Sequence, residues 1–187
     1  MILPEIYPRN DEQIHQCLFD ALIKLMQKTP IDYISIQDLV EEAHVSRSAF
    51  YRRYKDKYDL LNQSYERILE KTLFTVNQGI SWREAVTKIY EVIQQNVIFF
   101  KNAFESTDDN SLKNYIFDRT MRLESEILKK AGIDPSSDRV QYRLRAYVAG
   151  GLELTVTWVK SGAVFPLEEL VDIFVENVPE CFKEYFI

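Results

Sequence analysis

Between His44 and Tyr58 the chain sets Arg47, Arg52, Arg53, Lys55 and Lys57 against a single acid, Asp56. Ser46, Ser48 and Tyr51 stand among them, supplying hydroxyls that donate to anionic oxygens. Cations interleaved with hydroxyls suit one chemistry above others, the neutralisation and hydrogen bonding of phosphates along a polyanion. The segment carries a net +4 on a chain whose total is −6, so the remaining residues carry −10. A uniformly acidic surface would repel nucleic acid. A short basic patch on an acidic body instead focuses attraction on one place.

Other chemistries find less support. His15 and Cys17, two apart on a helix, do not face one point, and Cys181 is far away in sequence, so no metal site is expected. No Gly-rich phosphate loop, catalytic carboxylate pair or nucleophile–base arrangement stands out, which predicts a non-enzyme needing no cofactor. The 187 residues are 46% hydrophobic and 28% charged, an ordinary globular balance that excludes disorder. Two cysteines make no disulfide framework, so a reducing cytoplasm is the expected compartment. Met1 to Glu5 lacks the basic and apolar regions of a signal peptide. The densest apolar stretch, Ala146 to Val156, is interrupted by Glu153 and too short to span a bilayer. No membrane partner is expected.

The elements that must position the basic patch are helical. With 5 Gly and 6 Pro there are too few turn residues for a sandwich or barrel, and apolar residues recur at helical spacing nearly everywhere. Asn10 or Asp11 caps a first helix with the stripe Ile14, Leu18, Ala21, Leu22, Leu25 and Met26, ended by Thr29-Pro30. Ser35 with Asp38 forms a capping box for a helix over 36–43. A tight turn at His44-Val45 leads to Ser46, the cap of a third helix ending near Arg53. A fourth, from about Asp56, runs to Gly79. Ser81 and Glu84 open a helix whose stripe continues from Trp82 through Val97, Phe100 and Phe104 for some six turns. Two more cover about 111–131 and 139–161, stopped by Gly132 and Gly162. Pro166 fits the first turn of a last helix, which Pro179 kinks. About nine helices are expected in all, an all-α fold.

The stretch from Ser35 to Tyr54 has the anatomy of a helix-turn-helix. Leu39, Val40 and Ala43 brace the second helix, Val45 plugs the gap between the two, and Phe50 anchors the second helix in the core. Adjacent helical residues point about 100° apart, so Tyr51 faces outward where Phe50 faces in.

The pattern Ser35-Ile36-x-x-Leu39-Val40-x-x-Ala43-x-Val45-Ser46-Arg47-x-x-Phe50-Tyr51-x-x-Tyr54-x-x-Lys57-x-x-Leu60-Leu61 resembles the N-terminal domain of the TetR/AcrR family of transcriptional regulators. The resemblance covers about 50 residues from the first helix into the fourth. It implies a helix-turn-helix domain over 1–58 with an arm at 1–9, and a larger helical domain over 59–187 for effector binding and dimerisation. It implies that Tyr51 and Lys57 contact phosphate, that Ser35 and Ser46 touch backbone, and that Arg47, Ser48 and Ala49 read bases, with Arg52 and Arg53 adding charge. The partners implied are a palindromic double-stranded operator, a second copy of the chain and a small effector. Three positions depart from the family pattern. His44 replaces a glycine in the turn, Arg53 a histidine, and Tyr54 a phenylalanine, leaving a hydroxyl that needs a partner.

Gly150-Gly151-Leu152 to Gly162, followed by a Pro-Leu-Glu-Glu-Leu helix, is similar in a looser way to the effector domain of several members. Within it Phe100, Phe104, Tyr115, Tyr147 and Trp158 are candidate walls of a pocket for a mainly apolar effector. The helix over 139–161 is apolar on two faces and so needs two packing partners, one of them in a two-fold dimer. The family's usual mode, repression relieved by the effector, is the expected function. The alternative is a helical ligand-binding or protein-interaction module that keeps the helix-turn-helix frame without binding an operator.

Overall fold

The computed structural model describes residues 10–186, so the expected arm at 1–9 lies outside the described residues. Among these residues every regular element is helical. Helix α1 spans Asp11–Met26, α2 Ile36–Glu42 and α3 Arg47–Tyr51; α4 spans Lys57–Lys71, α5 Trp82–Gln95 and α6 Val97–Phe104. The longer α7 (Leu112–Lys130) and α8 (Asp138–Lys160) follow, then α9 (Leu167–Glu176) and the short α10 (Lys183–Phe186).

Local chemistry sets most of the starts. Asn10 accepts from the Gln13 amide at 2.8 Å while Gln13 reaches back to the Asn10 N–H, so α1 begins on a reciprocal box. Ser35 with Asp38 and Ser81 with Glu84 repeat the arrangement at α2 and α5. Ser46 Oγ accepts from the Ala49 amide at 3.2 Å and starts α3.

Two long helices expected from the apolar stripe are each broken. The α-helical part of α4 stops at Lys71, not at Gly79. Thr72 Oγ1 donates to the Ile68 carbonyl at 2.7 Å and Thr75 Oγ1 to the Thr72 carbonyl at 2.5 Å, side-chain bonds that compete with the helical ladder. A 3₁₀ stretch, Leu73–Gln78, follows and closes on Gly79 at φ 88°. The six-turn helix is likewise divided at Asn96, whose backbone leaves the helical region at φ −128° while its side-chain amide donates to the Val92 carbonyl at 2.9 Å. Pro166 sits just ahead of α9 as its cap, not in its first turn. Pro179 does not kink α9, which has already ended. It begins the 3₁₀ turn Glu180–Phe182 that leads into α10.

Helix α4 belongs to two packing units. It contacts α1 beneath α2 and α3 at one end, and α7 and the Leu73–Gln78 turn at the other. In the larger unit α8 packs on α7 and α6, and α5 packs on α9. Gly151 permits the closest approach there. A Cβ built on it would lie 2.3 Å from the Phe174 ring, whereas one on Gly150 would meet nothing.

The turn between α2 and α3 is a complete Schellman closure. The Val45 amide donates to the Val40 carbonyl at 3.0 Å and the His44 amide to that of Glu41 at 3.2 Å. The closure requires a left-handed residue at position 44, and His44 adopts φ 52°. Its side chain is exposed, so nothing but the backbone is lost on replacement. His44→Gly should therefore raise stability by roughly 0.5–1 kcal/mol, the left-handed strain relieved less the extra chain entropy of glycine. Urea unfolding with an unchanged m-value would check it.

Candidate nucleic-acid interface and interior cavity

Helix α3 divides its residues cleanly between core and solvent. Phe50 is wholly buried and packs against Tyr54, with ring centroids 5.5 Å apart and planes tilted by 48°. Ser46, Arg47, Ser48, Tyr51 and Arg52 are exposed. Tyr51 keeps 47% of its surface accessible and carries the Arg47 guanidinium 5.5 Å from its ring centroid. Ser46 Oγ and Ser48 Oγ lie 3.1 Å apart at the head of the helix. A cation, a phenol and two hydroxyls thus share the outer side of α3, with the basic Lys55 exposed just beyond it.

Other residues of the expected interface stand differently. Ala49 turns inward and is 7% exposed, because it shares the buried side of α3 with Phe50 and faces the bracing helix. Arg53 is drawn off the outer face: it pairs with Asp11 at the start of α1 and donates to the Ala49 carbonyl at 2.9 Å. Lys57 is half-buried and donates to the carbonyls of Asp32 at 2.7 Å and Ile34 at 2.8 Å. Burial pushes its ammonium below the usual lysine value, outweighing the attraction of Asp32, Asp108 and Asp56. Ser35 is exposed but spends its hydroxyl proton on Asp38 at 2.6 Å.

The Tyr54 hydroxyl finds its partner in His15, with Oη and Nδ1 2.6 Å apart and buried. The two residues are 39 apart in sequence, and the one local signal for the bond is the Tyr54 hydroxyl, which stands where the family pattern has phenylalanine. Burial, reinforced by Arg67 and opposed by Glu12, lowers the His15 pKa and so favours the neutral ring in this bond. Among the described residues no cluster of three metal-ligating side chains occurs.

A cavity of about 60 Å³ lies inside the larger unit. Its wall includes Tyr65 of α4, Leu73 of the following turn, Trp82 and Tyr90 of α5, Ile116 and Thr120 of α7, and Thr155 of α8. Tyr90 Oη and Thr155 Oγ1 bond each other at 2.8 Å, so the lining is mostly apolar and these two of its hydroxyls are paired. Of the five aromatic residues expected to wall an effector pocket, none touches this cavity. Phe100 and Phe104 are fully buried in the core. Trp158 is held by a 2.8 Å bond from Nε1 to the Phe165 carbonyl, and Tyr115 donates to Glu66 at 2.7 Å. Tyr147 lies against a different, open groove of about 660 Å³ between α8 and α9.

A helix-turn-helix head on a larger helical body is the architecture of a DNA-binding transcriptional regulator. Residues 18–63 match the family described as bacterial regulatory proteins, tetR family, and 81–179 match the transcriptional regulator C-terminal region of that family. The second match alone spans more than half the chain, and the protein belongs to the TetR family of transcriptional regulators. No curated protein sequence matches it. Two solved structures are similar in fold. One is the dihydroxyacetone kinase operon activator DhaS, at TM-score 0.64 and 19% identity over 88% of this chain and 93% of that one. The other is the transcriptional regulator FadR from Bacillus subtilis in complex with stearoyl-CoA, at 0.59 and 15% over 88% and 97%. No helix among the described residues is long and apolar enough to cross a membrane.

The buried histidine sets a pH dependence. Its folded pKa lies below the ordinary histidine value of 6.5, so the unfolded chain binds the proton more readily. The contribution is complete above about pH 6.5 and is lost as pH falls through the lower, folded value. Denaturant midpoints should therefore drop between pH 7.5 and 5.5, and His15→Gln should flatten that drop.

Proposed function

We propose that this protein is a homodimeric repressor that occupies a palindromic operator and is released by a small effector. The head over 1–58 reads DNA and the body over 59–187 binds effector and dimerises. The observation that carries the reading is the outward face of α3, where Arg47, Ser48, Tyr51 and Arg52 are exposed and neither arginine is ion-paired with another described residue. Arg47 and Ser48 are proposed to read base edges, with Tyr51, Arg52, Lys55 and the remaining donor of Lys57 on phosphates. Ser35 and Ser46 support backbone contacts, Arg53 stabilises the head through Asp11, and Ala49 packs it.

The groove between α8 and α9 is proposed as the seat of the second copy. Leu154 and Ile173 are each 37% exposed on it, Tyr142 nearby is 75% exposed, and Gly150 leaves room for close approach. An isologous contact there would set two α3 helices facing successive major grooves, about 34–36 Å apart.

The cavity is proposed as the effector site. Its 60 Å³ is far too small for a stearoyl chain, and smaller than the ~150 Å³ that holds benzene, so a compact effector is favoured and its entry must move a wall. Tyr65 and Leu73, two of the wall residues, sit on α4 and its continuation. Displacing them would shift the helix whose other end, at Lys57, anchors the head. Only an effector that prefers the displaced state would change operator affinity.

Operator binding should weaken with salt at a log–log slope of about −5 to −7, for three or four phosphates per head. Arg47→Ala should cost about 1–3 kcal/mol and relax preference at one base pair. Lys57→Ala should weaken all sequences alike, and also destabilise the chain because two carbonyls lose their donor. Titration of random-pool-selected DNA at several salt concentrations separates these. In vitro transcription from the selected site should fall on adding protein; a rise would overturn repression. The double variant Leu154→Asp, Ile173→Asp should run as a monomer in light scattering and lose operator affinity, with its helical content kept.

A further inference from the structure

Glu124 is 0% exposed, and neither of its carboxylate oxygens has a hydrogen-bond partner among the described residues. Leaving a carboxylate without a partner in an apolar interior is among the more expensive arrangements a fold can hold. Leucine or methionine would fill the same place on α7 at no such cost. The residue stands one helical turn beyond Thr120, which lines the cavity, and positions four apart on a helix are side-chain neighbours. From α8, Tyr147 lies near enough to Glu124 for the carboxyl to raise the phenol's pKa. Tyr147 Oη in turn receives Trp82 Nε1 at 3.3 Å, and Trp82 is itself a wall of the cavity. The carboxyl group thus stands one helical turn behind the cavity wall at Thr120 without lining the cavity itself, so reaching it requires the same wall movement that ligand entry demands. Burial drives its pKa well above the ordinary carboxylate value, so the acid stays neutral unless a cation is brought beside it.

Resting on the reading of this cavity as the effector site, we propose that the effector is a small organic amine. Its hydrocarbon or aromatic part would lie among Ile89, Tyr90, Ile116 and Val148, and its ammonium would pair with Glu124. The apolar lining offers such a ligand no other charge partner, since none of the residues lining the cavity is ionised at neutral pH. An anionic ligand would find no cation in the lining and would oppose ionisation of Glu124. A neutral ligand could offer a hydrogen bond but no counter-charge.

The test uses three near-isosteric compounds, 2-phenylethylamine, 2-phenylethanol and phenylacetate, titrated calorimetrically into the full-length wild-type protein and into Glu124→Gln. The amine should bind wild type at least about tenfold more tightly than the alcohol, as a hydrogen-bonded charge requires, and phenylacetate weakest. In Glu124→Gln the amine's advantage should shrink to about twofold while the alcohol still binds. Equal binding of amine and alcohol to wild type, or an amine advantage that survives the substitution, overturns the proposal. Ile116→Trp, which fills the cavity, should abolish binding of both. If the alcohol binds wild type, is lost in Ile116→Trp and shows no disadvantage to the amine, the cavity stands as effector site and the amine falls. If neither compound binds wild type, or if Ile116→Trp changes nothing, both readings fall. Should Glu124→Gln not fold, Glu124→Asp replaces it and should weaken the amine more than the alcohol.

Discussion

The structure turns on one helix being shared between two cores. Helix α4, about 22 Å long at 1.5 Å per residue, enters the reading head at its first turn and the cavity wall near its last. At its start, Tyr58 donates to Asp32 at 2.8 Å and Lys57 holds the Asp32 and Ile34 carbonyls, so the turn before α2 is fastened to it. Burial alone would raise the Asp32 carboxyl, but hydrogen bonds from Ser106, Tyr58 and the Thr107 amide, with Lys57 nearby, hold it below its usual value. Further along, Glu66 receives Arg119 through Nε at 2.9 and 3.0 Å and Nη2 at 2.8 Å, and the Tyr115 hydroxyl at 2.7 Å. Burial would raise Glu66 as well, yet those donors keep it low, so α4 and α7 are joined by a charge-assisted cluster and not by apolar contact alone. An element fixed at both ends transmits displacement, and the proposed coupling of the cavity to α3 would run through it.

The reading head holds its outer face free by satisfying its charges elsewhere. Asp11, a residue placed to complement the positive end of α1, takes Arg53 out of the basic patch. The Asn10 box fixes that helix start, so the pairing depends on a cap 43 residues earlier in the chain than the arginine it recruits. Tyr54 closes the same corner through His15. The two family departures, Arg53 and Tyr54, are thus both answered by α1, one by a carboxylate and one by an imidazole.

Close packing explains why the cavity lies where it does. Phe99, Phe100 and Phe104 stack edge-on or tilted within about 6 Å of one another and fill the space under α1 and α8. Trp82 packs at 5.1 Å against Phe186 from the last helix. The gap remains between these aromatic clusters, where Gly151 lets Phe174 approach α8 and no large side chain from α7 reaches across.

The sequence by itself determined the elements whose cause is local. Ser35, Ser46 and Ser81 start their helices through bonds three residues long, and Gly132 and Gly162 end theirs by tolerating φ of 83° and 84°. The helix-turn-helix was legible for the same reason, with apolar spacing, caps and the His44 turn all lying within 20 residues. The outward aim of Tyr51 followed from the buried Phe50 beside it. Tertiary structure decided what depends on distant partners. The stripe from Trp82 to Phe104 keeps helical spacing in sequence, but the backbone break at Asn96 divides it into α5 and α6. Arg53, Lys57 and Tyr54 carried the same residue types whether they faced solvent or not; Asp11, the Asp32 carbonyl and His15 fixed which way each one went. Glu124 stands among the charged residues of α7 with no local signal that sets it apart. Only the packing of α8 across α7 made it a buried acid, because burial is a property of the neighbours a residue acquires and not of its position in the chain.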